Sequence, residues 1–409
     1  MSAPAPASWP GPVSGPPGIY LDHAATSPVC PEAAEAVLHG MCVTGNPSSR
    51  HAAGDEAKEA LESSRAQLAA LLDCAPDDVV FTGGGSESDA LAVLGTVLAA
   101  GDRRVHVITT AIEHSAVLES CAFAAELGAE ITILRPDARG WIDPDDVRNA
   151  LRPNTALVSV MHANNETGVV QPVADIAEIA HRAGALLHTD AVQTAGKTSL
   201  AGIGADLVSV SAHKFYGPKG VGALKVAPGV RLSPLIRGGS QEHGLRAGTE
   251  NVPGILGMAA AATQALWHLR DPDFDAHRRA LRTALLAGIR EADGVRVNGE
   301  GAPCVPETLN VSFDGVRGDT LVDVLAVHGI CVSAGSACHA GSDEPSHVLT
   351  AMGVPAERAR ASVRFSPGRT TTLADVTEAA AATVEAVGKL RALGPASVPR
   401  PGHAQGAGR

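Results

Sequence analysis

The chain has 409 residues, 45% hydrophobic and 19% charged, which is enough for two or three domains with buried cores and argues against global disorder. Thirty-two Lys and Arg against 44 Asp and Glu leave a net charge of −12, which disfavours direct contact with nucleic acid or an anionic membrane. Cys30, Cys42, Cys74, Cys121, Cys304, Cys331 and Cys338 are scattered with no C-x-x-C pair, so neither a disulfide framework nor structural zinc is expected, and no apolar run approaches a bilayer span. The expectation is a soluble protein of the cytoplasm.

Residues 1–18 are rich in proline and lack both positive charge and an apolar run, so they read as a flexible arm and not a signal peptide. Ordered sequence begins near Ile19. Ala57, Leu61, Ser64, Leu68 and Leu71 recur at steps of three and four, which predicts a helix over 55–72. Val79-Val80-Phe81 reads as a strand, Gly83-Gly84-Gly85 as a tight loop, and Asp89 to Ala100 as the next helix. Further strands are expected at Val105 to Thr109, Ile131 to Leu134, Leu157 to Met161, Leu186 to His188 and Leu207 to Ser211. Helices separate most of them, such as 173–183, opened by Pro172 and closed by Gly184. This alternation predicts an α/β domain over 31–260, built on a mostly parallel sheet covered on both faces. After Pro253 the texture changes. An Ala/Leu helix near 255–270, a break at Asp271-Pro272-Asp273 and a helix over 274–292 precede short strands at Leu309–Phe313 and Ser362–Phe365. An amphipathic helix over 373–393 follows, carrying Val376, Ala380, Val384, Val387 and Leu390. The expectation is a smaller α+β domain over 261–394, with a flexible tail over 395–409.

Four local features carry possible chemistry. Thr82-Gly83-Gly84-Gly85-Ser86-Glu87-Ser88 lies between a strand and a helix, where free N–H groups and the positive dipole end suit a phosphate. A plain strand-to-helix turn is the competing reading. Ser88 stands where the dinucleotide fingerprint needs its third glycine, and no Gly-Lys-Ser/Thr follows, so neither a nicotinamide enzyme nor a P-loop is well supported. Asp190 ends an apolar strand, where a carboxylate faces the crevice of an open α/β sheet and can hold a cationic ring nitrogen; a helix-capping Asp is the alternative. Lys214 directly follows the strand Leu207 to Ser211; in a dry crevice such a lysine forms Schiff bases, whereas most lysines are simply solvated. Cys338 sits among small residues from Gly335 to Ser342, the composition of an accessible loop, whereas Cys42, Cys121 and Cys331 lie in apolar runs and read as inert core thiols. His339 beside Cys338 lacks the spaced ligands of a metal site, so no metal is expected. A phosphate cradle, an Asp for a ring nitrogen and a strand-end lysine together match the needs of pyridoxal phosphate, and a mobile cysteine adds sulfur chemistry.

These residues closely resemble the cysteine desulfurases, fold-type I enzymes that use pyridoxal phosphate. The resemblance runs from Tyr20-Leu21-Asp22-His23-Ala24-Ala25-Thr26 to about Leu393. Its most specific blocks are Asn46-Pro47-Ser48-Ser49, Glu113-His114, Asn164-Asn165-Glu166-x-Gly168, Thr189-Asp190-Ala191-Val192-Gln193, Ser211-Ala212-His213-Lys214, Arg246-x-Gly248-Thr249, Ser336-Ala337-Cys338 and Arg364-Phe365-Ser366. It implies a large domain on a mostly parallel seven-stranded sheet, residues 19–30 packing with the smaller C-terminal domain, and a catalytic cysteine loop carried by that smaller domain.

The resemblance implies further that Lys214 holds pyridoxal phosphate as a Schiff base, Asp190 keeps the pyridine nitrogen protonated, and Gln193 bonds the ring's phenolic oxygen. His114 would stack on the ring and assist proton transfer, and would be the recipient of the Cys338 proton. Gly85, Ser86, Ser211 and His213 would hold the phosphate, with Thr249 reaching in from the second subunit of a homodimer. Asn165, also a cofactor contact, would bind the substrate with Arg364 and Asn46. Cys338 would take sulfur from L-cysteine as a persulfide, leaving L-alanine, and pass it to an acceptor protein for iron–sulfur clusters, thiolated tRNA or another thio-product. The spacing from Cys338 to Pro345 resembles the long-loop branch. The chain departs from the common pattern at Ser86 (often Thr), at Ala212 (often Gly) and at His339, a Cys-His pairing also found in selenocysteine lyases. A selenocysteine lyase, an aminotransferase and a catalytically silent scaffold of the same fold are the competing readings.

Overall fold

The computed structural model describes residues 18–101, 104–334 and 344–394. The Pro-rich arm before Gly18, the tail from 395 and the loop with Cys338 and His339 lie outside the described residues. A short strand, β1 (Ile19–Tyr20), leads into helices α1 (Pro31–Cys42) and α2 (Ala52–Leu72). The large sheet then takes β2 (Val79–Thr82), β3 (His106–Thr110), β4 (Glu130–Leu134), β5 (Thr155–Ser159), β6 (Leu186–Asp190), β7 (Leu207–Ser211) and β8 (Gly222–Val226) in the order β2-β8-β7-β6-β5-β3-β4. β8 runs antiparallel to both neighbours, and every other pairing is parallel. β8 has no counterpart among the expected strands: its GALKV begins on a glycine straight after a Gly/Pro-rich turn and alternates too briefly to stand out.

Helices α3 (Gly85–Ala99), α4 (Ser115–Glu126), α5 (Pro144–Ala150), α6 (Val173–Arg182) and α7 (Val252–Leu269) cover the sheet. Successive strand residues point to opposite faces, as the pleat requires. Val107, Leu157 and Leu207 join one buried cluster with Leu91 of α3 and Val117 of α4, while Ile108, Val158 and Val208 join another with Leu68, Ile176 and Met258 of α2, α6 and α7. α3 begins four residues before the expected Asp89. Gly84 takes the turn at φ +155°, the side chain of Glu87 accepts from Gly83 N at 2.7 Å, and Ser88 Oγ donates to Gly84 O at 3.1 Å. Gly85 and Ser86 are therefore the helix's first turn, a start that helix propensity alone disfavours. β5 both begins and ends two residues before the expected Leu157 to Met161.

The remaining chain supplies α8 (Pro272–Ile289), β9 (Val295–Val297), β10 (Leu309–Phe313), α9 (Gly318–Val327), β11 (Ile330–Cys331), β12 (Ser333–Ala334), α10 (His347–Ala351), α11 (Ala356–Arg360), β13 (Ser362–Phe365) and α12 (Leu373–Ala392). An antiparallel sheet in the order β12-β13-β10-β9 packs its inner face on α8, α9 and α12 around Leu281, Leu285, Phe313, Leu321, Phe365, Val376 and Val387. Leu21 joins this cluster, and β1 pairs with β11. α7 crosses residue 260 without a break, and Ala261, Ala262 and Ala265 belong to the large sheet's core. The two cores therefore part after Leu269, at the Asp271-Pro272 step, where Asp271 caps α8 by accepting from Asp273 N.

Candidate active site

A cavity of about 290 Å³ opens at the C-terminal ends of β6 and β7, facing the small domain. Gly85, Ser86, His114, Asn165, Asp190, Gln193, Ser211, His213, Lys214 and Arg364 all line it, so ten positions quoted from separate sequence blocks meet in one place. Two do not: Asn46 and Thr249 are exposed and stand outside this cavity in the single chain. Asn46 accepts from Ser48 N at 2.9 Å within its own turn.

One end of the cavity is built for an anion. The N-terminus of α3 opens there, beside the Ser211 hydroxyl and His213, and a wider mouth continues past Gly83, Gly84 and Lys219. A Cβ on Gly85 would sit 2.8 Å from Val192 Cγ2, so only glycine lets the helix start approach β6 this closely. Burial and the positive charges of Lys214, Lys219 and Lys197 push His213 down to about 4, and its Nδ1 pairs with Thr26 Oγ1 at 3.1 Å. Ala212 is absent from the residues with positive φ, so replacing glycine there costs no strain.

The opposite end is acidic and dry. Asp190 Oδ1 accepts from Val192 N at 2.8 Å, so the residue also caps its own turn. Burial, then the nearby carboxylate of Asp89, raise the Asp190 carboxyl above its ordinary range. Asp89, one helical turn after Gly85, is pushed up to about 7 by burial, and its Oδ1 has no hydrogen-bond partner. His188 Nε2 lies 3.5 Å from Asp89 Oδ1; the ring pairs with Ser159 and Ser209 at 2.8 and 2.9 Å and is kept neutral by burial at about 4. Two desolvated carboxylates thus share a pocket in which His114 only partly offsets them, an arrangement that suits a cationic ring. Glu113, behind them, accepts from Thr110 Oγ1 and Met161 N and is driven up to about 8 by burial.

Lys214 follows β7 on a short 3-10 turn, Ala212–Lys214, and its Nζ donates to Ala24 O at 2.6 Å and Ala25 O at 2.9 Å. The N-terminal segment thereby holds the amine at the cavity. His114 caps α4: its Nδ1 accepts from Ala116 N at 3.1 Å, leaving Nε2 to carry the proton of the neutral ring. Arg364, buried on β13, donates to Asn165 O and to Asp22 Oδ1, both at 2.9 Å, and Asp22 also accepts from Ser333 Oγ at 2.8 Å.

Asp89, Asp22 and Met161 were missed. Asp89 had a signal in the sequence, four residues past Gly85 and hence on the same face of α3; Met161 had none. Asp22 lay in a quoted block without a role. Among the cysteines expected to be inert, Cys121 is buried, but Cys331 is partly exposed and Cys42 is exposed at the end of α1, because the apolar run around it is the outer face of that helix.

The aminotransferase class-V family profile matches residues 19–378. Cysteine desulfurase IscS of Dictyoglomus turgidum is 43% identical over 381 residues, covering 92% of this chain and 96% of that protein. Among solved structures, a NifS-like protein superposes with a TM-score of 0.84 at 36% identity, over 91% of this chain and all of its own. SspA, solved in complex with cysteine, gives 0.75 at 36% identity, over 85% of this chain and 98% of its own. Among the described residues no helix is long and apolar enough to cross a membrane.

Proposed function

The chain belongs to the aminotransferase class-V family and, within it, to the cysteine desulfurases, and on that premise we propose that it converts L-cysteine to L-alanine and hands the sulfur on as a persulfide of Cys338. The observation carrying this reading is the single cavity in which Lys214, Asp190, Gln193, His114 and Arg364 converge. Pyridoxal phosphate fits these residues. The Gly85 cradle, which a Cβ would fill, suits the phosphate; the orphaned Asp89 Oδ1 beside Asp190 suits a cationic ring; and the Lys214 amine suits the aldehyde. When bound, the group supplies an electron sink for the substrate's α-carbon.

In this reading Asp190 holds the proton on the ring nitrogen, and the α3 N-terminus, Ser86, Ser211 and His213 hold the phosphate. His114 covers the ring face, and Gln193 bonds the phenolic oxygen. Arg364 and Asn165 orient the substrate carboxylate, and Lys214 Nζ moves the proton at the α-carbon. Cys338 Sγ, as a thiolate, attacks the substrate sulfur: an S–S bond forms as the Cβ–S bond breaks, and the electron pair left on Cβ takes up a proton on the way to alanine. A second copy of the chain completes the site with Thr249. Its loop is anchored by the buried Arg65–Glu242 pair and by Arg246–Glu87, the latter reaching the first turn of α3. An acceptor protein for iron–sulfur cluster or thio-product synthesis takes the sulfur, and the cytoplasm is the setting.

The test is to assay sulfide and alanine from L-cysteine with added thiol, using wild type and Cys338→Ala. Both products from wild type, and a yellow but inactive Cys338→Ala, are expected. Turnover by wild type of selenocysteine but not cysteine would move the assignment to a selenocysteine lyase, and full activity in Cys338→Ala would remove Cys338 as the nucleophile.

A further inference from the structure

Behind the Gln193 side of the cavity lies a second, nearly closed void of about 20 Å³, at the junction of the two cores. Lys197 and Lys214 line it with His23, Arg278, Glu307 and Arg369. Lys197 is only 8% exposed. A buried ammonium normally pairs with a carboxylate, but Glu307 is held by Arg278, and Lys197 Nζ donates instead to Gln193 Oε1 at 3.3 Å.

The local chain makes this contact. Residues 191–198 run through successive turns, with Ala195 N donating to Ala191 O and Thr198 N to Thr194 O, and these turns bring the Lys197 amine to the Gln193 amide. Gly196 has φ +73°, and a Cβ there would lie 2.8 Å from Phe215 Cβ, so the turn presses against its neighbours at this point. Arg278 then fixes Lys197 by donating to its carbonyl at 2.7 Å.

A side-chain amide has an acceptor end and a donor end, and an ammonium only donates. Lys197 therefore selects the oxygen of Gln193, leaving Nε2 to face the other way. There Nε2 donates at 3.0 Å to Ala24 O, the carbonyl that also accepts from Lys214. We propose that Lys197 is a positioning residue which, from the closed side of the site, locks the Gln193 amide so that Gln193 meets the cofactor as a hydrogen-bond donor and not as an acceptor. This rests on the reading that the cavity takes pyridoxal phosphate. A donor at the phenolic oxygen, with positive charge behind it, stabilises that oxygen's anion and lowers the proton affinity of the chromophore formed with Lys214. The groups facing Lys197 include the Lys214 amine and the Tyr216 hydroxyl across the void, Glu307, the guanidiniums of Arg278, Arg364 and Arg369, and two histidines kept neutral by burial, His23 and His213.

The experiment strips the protein of cofactor, reloads it with pyridoxal phosphate and follows visible absorbance against pH, with cofactor affinity measured in parallel. In Lys197→Met the titration midpoint rises by about one pH unit, Lys197→Arg restores it, and Lys197→Met adds nothing in a Gln193→Leu background. An unchanged midpoint in Lys197→Met, or an undiminished shift in that background, overturns the inference. A Lys197→Met protein that folds but takes no cofactor also overturns it, assigning Lys197 to holding the pocket together. If Lys197→Met does not fold, Gln193→Glu asks the same question from the other end, since a carboxylate facing Lys197 has no N–H to offer: a raised midpoint supports the inference and an unchanged one removes it. Wild type that binds no pyridoxal phosphate sinks the reading of the cavity itself, whereas wild type that loads and titrates beside unaltered variants sinks only the role of Lys197.

Discussion

The two sheets of this protein meet at one cavity but put their buried polar groups to different use. The interior of the large sheet is studded with polar groups: His106, Thr109, Thr110, Ser159, His188, Thr189, Asp190, Ser209 and Ser211 are all buried strand residues. The small domain also buries polar strand residues, Asn310, Ser312 and Ser362 among them, but Asn298 satisfies Asn310 and Ser312 within the sheet, an aliphatic and aromatic core surrounds them, and Arg364 alone among this domain's described residues lines the cavity. The parallel strands aim chemistry at their C-terminal ends and bear the cost of desolvated acids there, whereas the small domain acts as a well-packed wall.

That contrast breaks down unless damage to floor and wall separates. The largest effect is expected at the floor. Asp190→Ala should lower kcat by at least about 10²-fold with the melting temperature nearly unchanged, because the lost group is a costly buried carboxylate. Loss of folding in that variant would mean that the floor is structural. The mirror experiment is Phe313→Ala in the small core, which should destabilise by about 3–5 kcal/mol in urea unfolding while leaving kcat near wild type under folding conditions.

The acidic floor also predicts a pH signature. Glu113, driven from 4.5 to about 8 by burial, is protonated in the folded state, so its contribution is fully present below the unfolded value and is lost as pH rises toward 8. Between pH 5 and 8 Glu113→Gln should gain stability relative to cofactor-free wild type by at most about 1.4 kcal/mol per pH unit, a difference in which the buried histidines common to both proteins cancel. Parallel urea-midpoint profiles for the two proteins would show that Glu113 carries none of the cost. The smallest effect belongs to the wall's single chemical group: Arg364→Lys loses the two-pronged fork and should raise KM for cysteine about 10-fold with kcat little changed. An equal fall in kcat would place Arg364 in the chemistry and not only in binding.

Much of this was legible in one dimension. Strand–helix alternation gave the α/β class, β10 and β13 fall on the expected residues, and ten candidate positions converge. Errors cluster where tertiary context overrides local preference. Gly85 starts α3 because Glu87 and Ser88 bond back to the turn, and β8 is a strand because it is clamped between β2 and β7.

The sequence alone, through local patterns such as a lysine after an apolar strand or a glycine-rich helix start and through its resemblance to a known family, nominated the residues expected to carry chemistry. Only the tertiary structure decided how those residues are held. Asp22 braces Arg364 across 342 residues, and Ala24 accepts from Lys214 across 190. Asp89 becomes a partner of Asp190 only because α3 lies over β6. Helical and strand periods relate neighbours a few positions apart, whereas hydrogen bonds and desolvation act between whatever atoms the packed cores bring within a few ångströms.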